Sequence, residues 1–155
     1  MATGTLSALR QAIASRVGAT STTGLVQGTA STWKQERHPF AILDSSQARK
    51  HLTYSVAVES ATITADGSGS SAASPWQIEA SIRVLFLYRI RASRRADLDL
   101  SATAAEAVAA SVLTVATEDA TYQILPDLIY SPTMTDDGEA VLVESRYLVR
   151  FPASI

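Results

Sequence analysis

WQIEASIRVLFLYR, residues 76 to 89, decides the fold. Ile78, Ala80, Ile82, Val84, Phe86 and Tyr88 fall on one side of an extended chain, and Gln77, Glu79, Ser81, Arg83, Leu85, Leu87 and Arg89 on the other. A period of two sustained over that length is the pattern of a strand with one covered face. The preceding apolar segment, LTYSVAVESATIT at 52 to 64, alternates in the same way, with Leu52, Tyr54, Val56 and Val58 together. Between the two lies a glycine- and serine-rich connection, so the pair reads as a β-hairpin with a long loop. A further alternating strand, EAVLVESRYLVRF, follows the turn signal TDDG at 135 to 138. It sets Val141, Val143, Tyr147, Val149 and Phe151 against Leu142, Glu144, Arg146, Leu148 and Arg150.

Two helices accompany these strands. Leu6, Leu9, Ile13 and Val17 recur at spacings of three and four, with Thr5 as N-cap and Gly18 expected in the left-handed position after the last turn. DLDLSATAAEAVAASVLTVAT, 97 to 117, carries a narrow stripe of Ala105, Val108, Val112 and Val115, with early aspartates suited to a helix N-terminus. YQILPDLIY, 122 to 130, stays ambiguous, because Pro126 bars it from a central strand. Residues 19 to 37 read as an irregular loop with a brief strand at Leu25 to Gln27 as the alternative, and FAIL after His38 and Pro39 reads as a short buried strand. The resulting class is α+β: one domain over residues 1–155, an antiparallel sheet, and both helices packed on one face. The loops near 19–37 and 66–75 are expected to be mobile.

The composition narrows the function. The chain has 155 residues, 46% apolar and 18% charged, with a formal net charge of −2, so it has no global basic field to hold a polyanion. It has no cysteine, which rules out disulfides, thiolate metal sites and cysteine nucleophiles and favours a reducing compartment. No uninterrupted apolar run reaches the roughly 20 residues of a membrane span, so no membrane partner is expected. His38 and His51 have no partner ligands at metal spacing, and no nucleophile elbow, phosphate loop or dinucleotide motif is present. Neither catalysis, a cofactor nor a metal is expected.

What remains is charge at the end of the central strand: Arg89, Arg91, Arg94 and Arg95, followed at once by Asp97 and Asp99. Three readings stand: a solvated strand end, a phosphate contact, and an interface between subunits. The interface explains most, because adjoining basic and acidic groups complement a neighbouring copy. Arg83, Leu85 and Leu87 join the candidate seam, since a sheet covered on one side should be polar on the other, and here it carries leucines.

The order of segments resembles the tail terminator proteins of long-tailed bacteriophages, of the lambda-like minor tail protein U type. The likeness lies in the LSALRQAIASRV helix, the His-Pro-Phe step, the hairpin ending in WQIEASIRVLFLYR, the helix with an acidic start and the closing strand LVESRYLVRF. That resemblance implies a non-enzymatic hexameric ring in the virion neck or tail, assembled in the host cytoplasm. Its partners would be other copies of itself, the major tail tube protein and the head-tail connector or stopper protein, with DNA passing through the lumen unbound. A neck or tail-completion adaptor of the same particle is the alternative, and a monomeric ligand-binding α+β domain is the third reading.

Overall fold

The strand Trp76–Arg89 sits in the middle of the sheet. The computed structural model describes residues 4–21, 33–35, 52–65, 75–89, 95–135 and 140–153. Their elements in chain order are α1 (Leu6–Gly18), β1 (Trp33–Gln35), β2 (Leu52–Ala65), β3 (Trp76–Arg89), α2 (Arg95–Glu118), β4 (Gln123–Met134) and β5 (Ala140–Pro152). The strands form one sheet in the order β1-β2-β3-β5-β4. β2, β3, β5 and β4 are antiparallel to their neighbours, as the hairpin patterns require. β1 adds a short parallel edge beside β2.

Both helices cover one face. α1 packs on β1 and β2, α2 on β4 and β5, and the helices touch each other. Leu9, Ile13 and Val17 of α1 and Ala104, Ala105, Val108 and Val112 of α2 are fully buried against Ile82, Val84, Phe86, Val143 and Tyr147. Each large apolar side chain removed from water in this way contributes about 1.5–3 kcal/mol. The alanines let α2 lie close to the sheet. By length and composition alone Asp97–Glu118 is apolar enough to cross a membrane, yet the stripe that makes it so is the one buried on the sheet.

β1 corrects the irregular reading of residues 19 to 37. Its Trp33 is buried, edge-on to Phe86 at 5.5 Å and to Tyr54 at 6.0 Å between ring centres. Such pairs add about 0.5–1.5 kcal/mol beyond burial. The expected strands at Leu25 to Gln27 and at FAIL, the turn at Asp136 to Gly138, and most of both loops expected to be mobile lie outside the described residues. The ambiguous YQILPDLIY becomes β4, on the sheet edge, where Pro126 and Pro132 leave no central ladder bond unmade. Two shifts of register, between Pro126 and Leu128 and between Leu128 and Ser131, further break its pairing.

β2 contains the irregularity that matters most for the outer face. Val58 pairs with Ile82, but Ser60, not Glu59, pairs with Ser81. The extra residue changes the parity of the strand. Tyr54, Val56 and Val58 face the helices before the bulge, and Ala61 and Ile63, opposite Ala80 and Ile78, take that side after it. Glu59 and Ser60 are both left on the outer side, which is what a β-bulge permits.

α1 begins as expected: Thr5 caps it, its Oγ1 accepting a hydrogen bond from the Ala8 N–H at 3.1 Å. Its end differs. Gly18 is the last helical residue, and Ala19 closes the helix in right-handed geometry. Glycine is required there for space: a Cβ on Gly18 would lie 2.7 Å from the Tyr54 hydroxyl, which donates to the Ala14 carbonyl at 2.8 Å. Gly18→Ala is therefore expected to destabilise the protein by about 1–3 kcal/mol. Tyr54→Phe alone should cost about 1 kcal/mol, yet it removes the clashing oxygen, so the double variant should be more stable than the sum of the singles predicts. Urea unfolding of the four proteins measures the coupling, and strict additivity would refute this account of Gly18.

Candidate subunit interface on the open face of the sheet

Strand register lays out the face away from the helices as a series of rows. Thr53, Leu87, Leu142 and Thr133 form the first, and Ser55, Leu85, Glu144 and Ser131 the second. Ala57, Arg83, Arg146 and Leu128 follow, then Ser60, Ser81, Leu148 and Leu125, then Thr62, Glu79, Arg150 and Gln123. The face changes character along the strands.

At one end Leu85 and Leu87 gather with Ala140 and the partly buried Leu142 into a small apolar cluster. Leu85 is 6% and Leu87 7% exposed within the single chain. This corrects the expectation that they lie open on a seam: the alternation placed them on the right face, but they are already withdrawn from water. Thr53 and Ser55, beside them, are buried too, and neither hydroxyl has a hydrogen-bond partner among the described residues.

The middle of the face is ionic. Arg83 and Arg146 stand directly opposite on β3 and β5, a like-charge pair that destabilises adjacent strands unless acids intervene. Two acids do. Glu59 lies 3.5 Å from Arg83 Nη1 and 3.5 Å from Arg146 Nε. Glu144 lies 3.9 Å from Arg83 Nη1 and accepts a hydrogen bond from Arg146 Nε at 3.0 Å. The Ser81 hydroxyl donates to Glu59 at 3.3 Å. The Arg146 pKa is raised above the ordinary arginine value, first by its bond to Glu144 and then by the charges of Glu144 and Glu59. Farther along, Arg150 Nη2 meets Glu79 at 2.8 Å. Arg83, Arg146 and Arg150 each have an acid within the chain, so this lattice is close to neutral and, among the described residues, offers no run of free cations to a phosphate backbone.

Leu125 and Leu148 interrupt the charges. They are cross-strand partners, 67% and 49% exposed, and they line a hollow of about 690 Å³ that also takes in Ser60 and Arg150 of this face and Ala116 and Tyr122 of the helix side. Ile129 and Met134, also exposed, lie on the same edge strand.

The remaining sequence candidates scatter. Arg89 is exposed at the end of β3, and Asp99 is exposed on α2. Asp97 is 4% exposed and engaged within the chain, in the first turn of α2 where the helix dipole favours an anion. That corrects its place in a surface charge patch. Arg91 and Arg94 lie outside the described residues, as does the side chain of Arg95, which opens α2. Of the charged residues expected at the seam between 89 and 99, the described side chains are those of Arg89, Asp97 and Asp99. Sequence reading missed Glu59, Glu144 and Arg146 as partners of Arg83, and it missed Leu125. Alternation put Arg146 and Glu144 on the outer face, but only cross-strand register puts them beside Arg83, and the bulge that turns Glu59 outward leaves no mark in the sequence.

Among the described residues no cluster of three or more histidine, aspartate or glutamate side chains is arranged to hold a metal ion. His38 and His51 lie outside them. A scan against protein-family models finds no match, and comparison with proteins of curated function finds none either.

Proposed function

We propose that this chain is a structural ring protein, a tail terminator of a long-tailed bacteriophage, which caps the head-proximal end of the tail tube and presents a surface to the head connector. The observation that carries the reading is the open face of the sheet. Helices finish one side, while the other holds a self-neutralised ion lattice broken by exposed Leu125 and Leu148. Apolar side chains set among paired charges suit contact with another protein surface, where the leucines supply burial and the charges fix register. The same neutrality suits a ring through which DNA slides, because counterion release, the main driving force for holding DNA, needs unpaired cations. A terminator has no chemistry to perform. It stops growth by covering the contact surface that the next ring of tube protein would use, and it needs only a geometry that copies of itself complete.

The reading is tested on polymerising tail tubes. Added protein is expected to sit at one end of each tube and to halt elongation there. Tubes that grow to the same lengths with and without it, and carry none of it at their ends, would overturn the assignment. Binding to isolated connectors but not to tubes would place the chain as a neck adaptor instead.

A further inference from the structure

Among the described residues the sheet has two lateral edges of different chemistry, and beside each stands one charge with no ion-pair partner among those residues. At the β1 edge, a hollow of about 470 Å³ between α1 and β1 is lined by Arg10, Gln11, Ser15 and Gln35. All four side chains can donate hydrogen bonds, and among the described residues Arg10 makes no ion pair. A guanidinium flanked by amides and a hydroxyl is a site for a carboxylate. At the opposite edge, β4 presents Asp127 between exposed Leu125 and Ile129. Asp127 makes no ion pair among the described residues, and the cation whose charge it feels, Arg146, is already held by Glu59 and Glu144.

These two groups cannot meet within one chain. Arg10 lies on α1 beside β1 and Asp127 on β4, and those strands stand on opposite edges of the five-stranded sheet, roughly 19 Å apart at the usual spacing between strands. Nor does β4 serve as a template for an added strand: Pro126 and Pro132 have no N–H to offer, and its pairing is twice interrupted. A β4-to-β4 contact between copies would bring Asp127 toward its own twin and leave Arg10 unused.

We propose that the occupant of the β1-edge hollow is the β4 edge of a second copy, with the neighbour's Asp127 carboxylate on Arg10 and its Leu125 and Ile129 packed alongside. This rests on the ring reading and specifies its seam. The contact is heterologous, one edge against the other, and a heterologous contact that closes makes a ring.

Charge exchange and cross-linking test it together. R10E and D127R, each alone, are expected to lower assembly about tenfold, and the double variant should recover most of the loss. The chain has no cysteine, so R10C and D127C can be introduced as unique thiols. With a short bis-thiol reagent, mixing the two single variants should give dimers, and the doubly substituted chain should give a ladder ending at the ring. D127C alone cross-linking as well as the mixture would overturn the seam in favour of a symmetric one. Wild-type protein that assembles while no Arg10-to-Asp127 link forms would overturn the seam and leave the ring. Wild-type protein that never assembles would remove both.

Discussion

Deleting Ala57 is expected to destabilise the fold severely, whereas deleting Glu59, two residues on, is expected to leave the sheet intact. The difference follows from the bulge in β2. Val58 faces the helices, Glu59 and Ser60 both face outward, and Ala61 returns to the helical side. Without Glu59 the strand reads Val58 inward, Ser60 outward, Ala61 inward, a regular alternation with every partner on β3 unchanged. The loss is confined to the ionic contacts with Arg83 and Arg146, which lie at a partly exposed surface where such pairs contribute little. Without Ala57 the strand has two ways to close the gap. One turns Tyr54 and Val56, 4% and 5% exposed, to the outer face and brings Thr53 and Ser55 inward. The other absorbs the bulge, putting Val58 outward and the Glu59 carboxylate beside Ile82 in the core. Either costs several kcal/mol, since a buried polar or charged group without a partner costs about 2 kcal/mol or more. Urea unfolding followed by the fluorescence of Trp33 and Trp76 separates the variants; similar midpoints for both would show that the bulge does not absorb the parity change.

Much of this architecture is visible before any coordinates. β3 and β5 alternate without a break, and the stripe of Ala105, Val108, Val112 and Val115 lies buried on the sheet as expected. That an α+β fold with both helices on one face follows from these patterns is a matter of period and of covered surface alone. Failures came where the controlling interaction is not local. β1 is three residues long, too short for periodicity to register, and Trp33 is held by Tyr54 and Phe86 from distant strands. Gly18 lies inside the helix and not in the left-handed position after it, and what requires glycine there, the Tyr54 hydroxyl, comes from another element. Leu85 and Leu87 point to the expected face, but alternation gives direction and not depth. Asp97 is similar: a helix N-terminus welcomes a carboxylate whether it faces solvent or is buried. The Glu59, Arg83, Glu144 and Arg146 lattice required register across three strands, and no single segment contains it.

Assembly is where the largest change in an observable is expected. Leu125 and Leu148 expose two large apolar side chains side by side on the open face. They are 67% and 49% exposed, so covering both at a seam contributes about 2–3.5 kcal/mol to the contact before the cost of association is met. Replacing both with aspartate removes that burial and places new charges that a neighbour must desolvate. The double variant is expected to fold, because neither side chain belongs to the core beneath the helices. It should also stay dispersed as single chains, giving an unchanged unfolding midpoint with a lost assembly. A variant that unfolds would instead mean that the leucines hold the subunit together.

Sedimentation velocity of the purified wild-type protein across concentration tests the central claim most directly. The account predicts a closed oligomer, a hexamer by resemblance, that the Leu125→Asp, Leu148→Asp variant cannot form. A single 16.5 kDa particle at every concentration would contradict it.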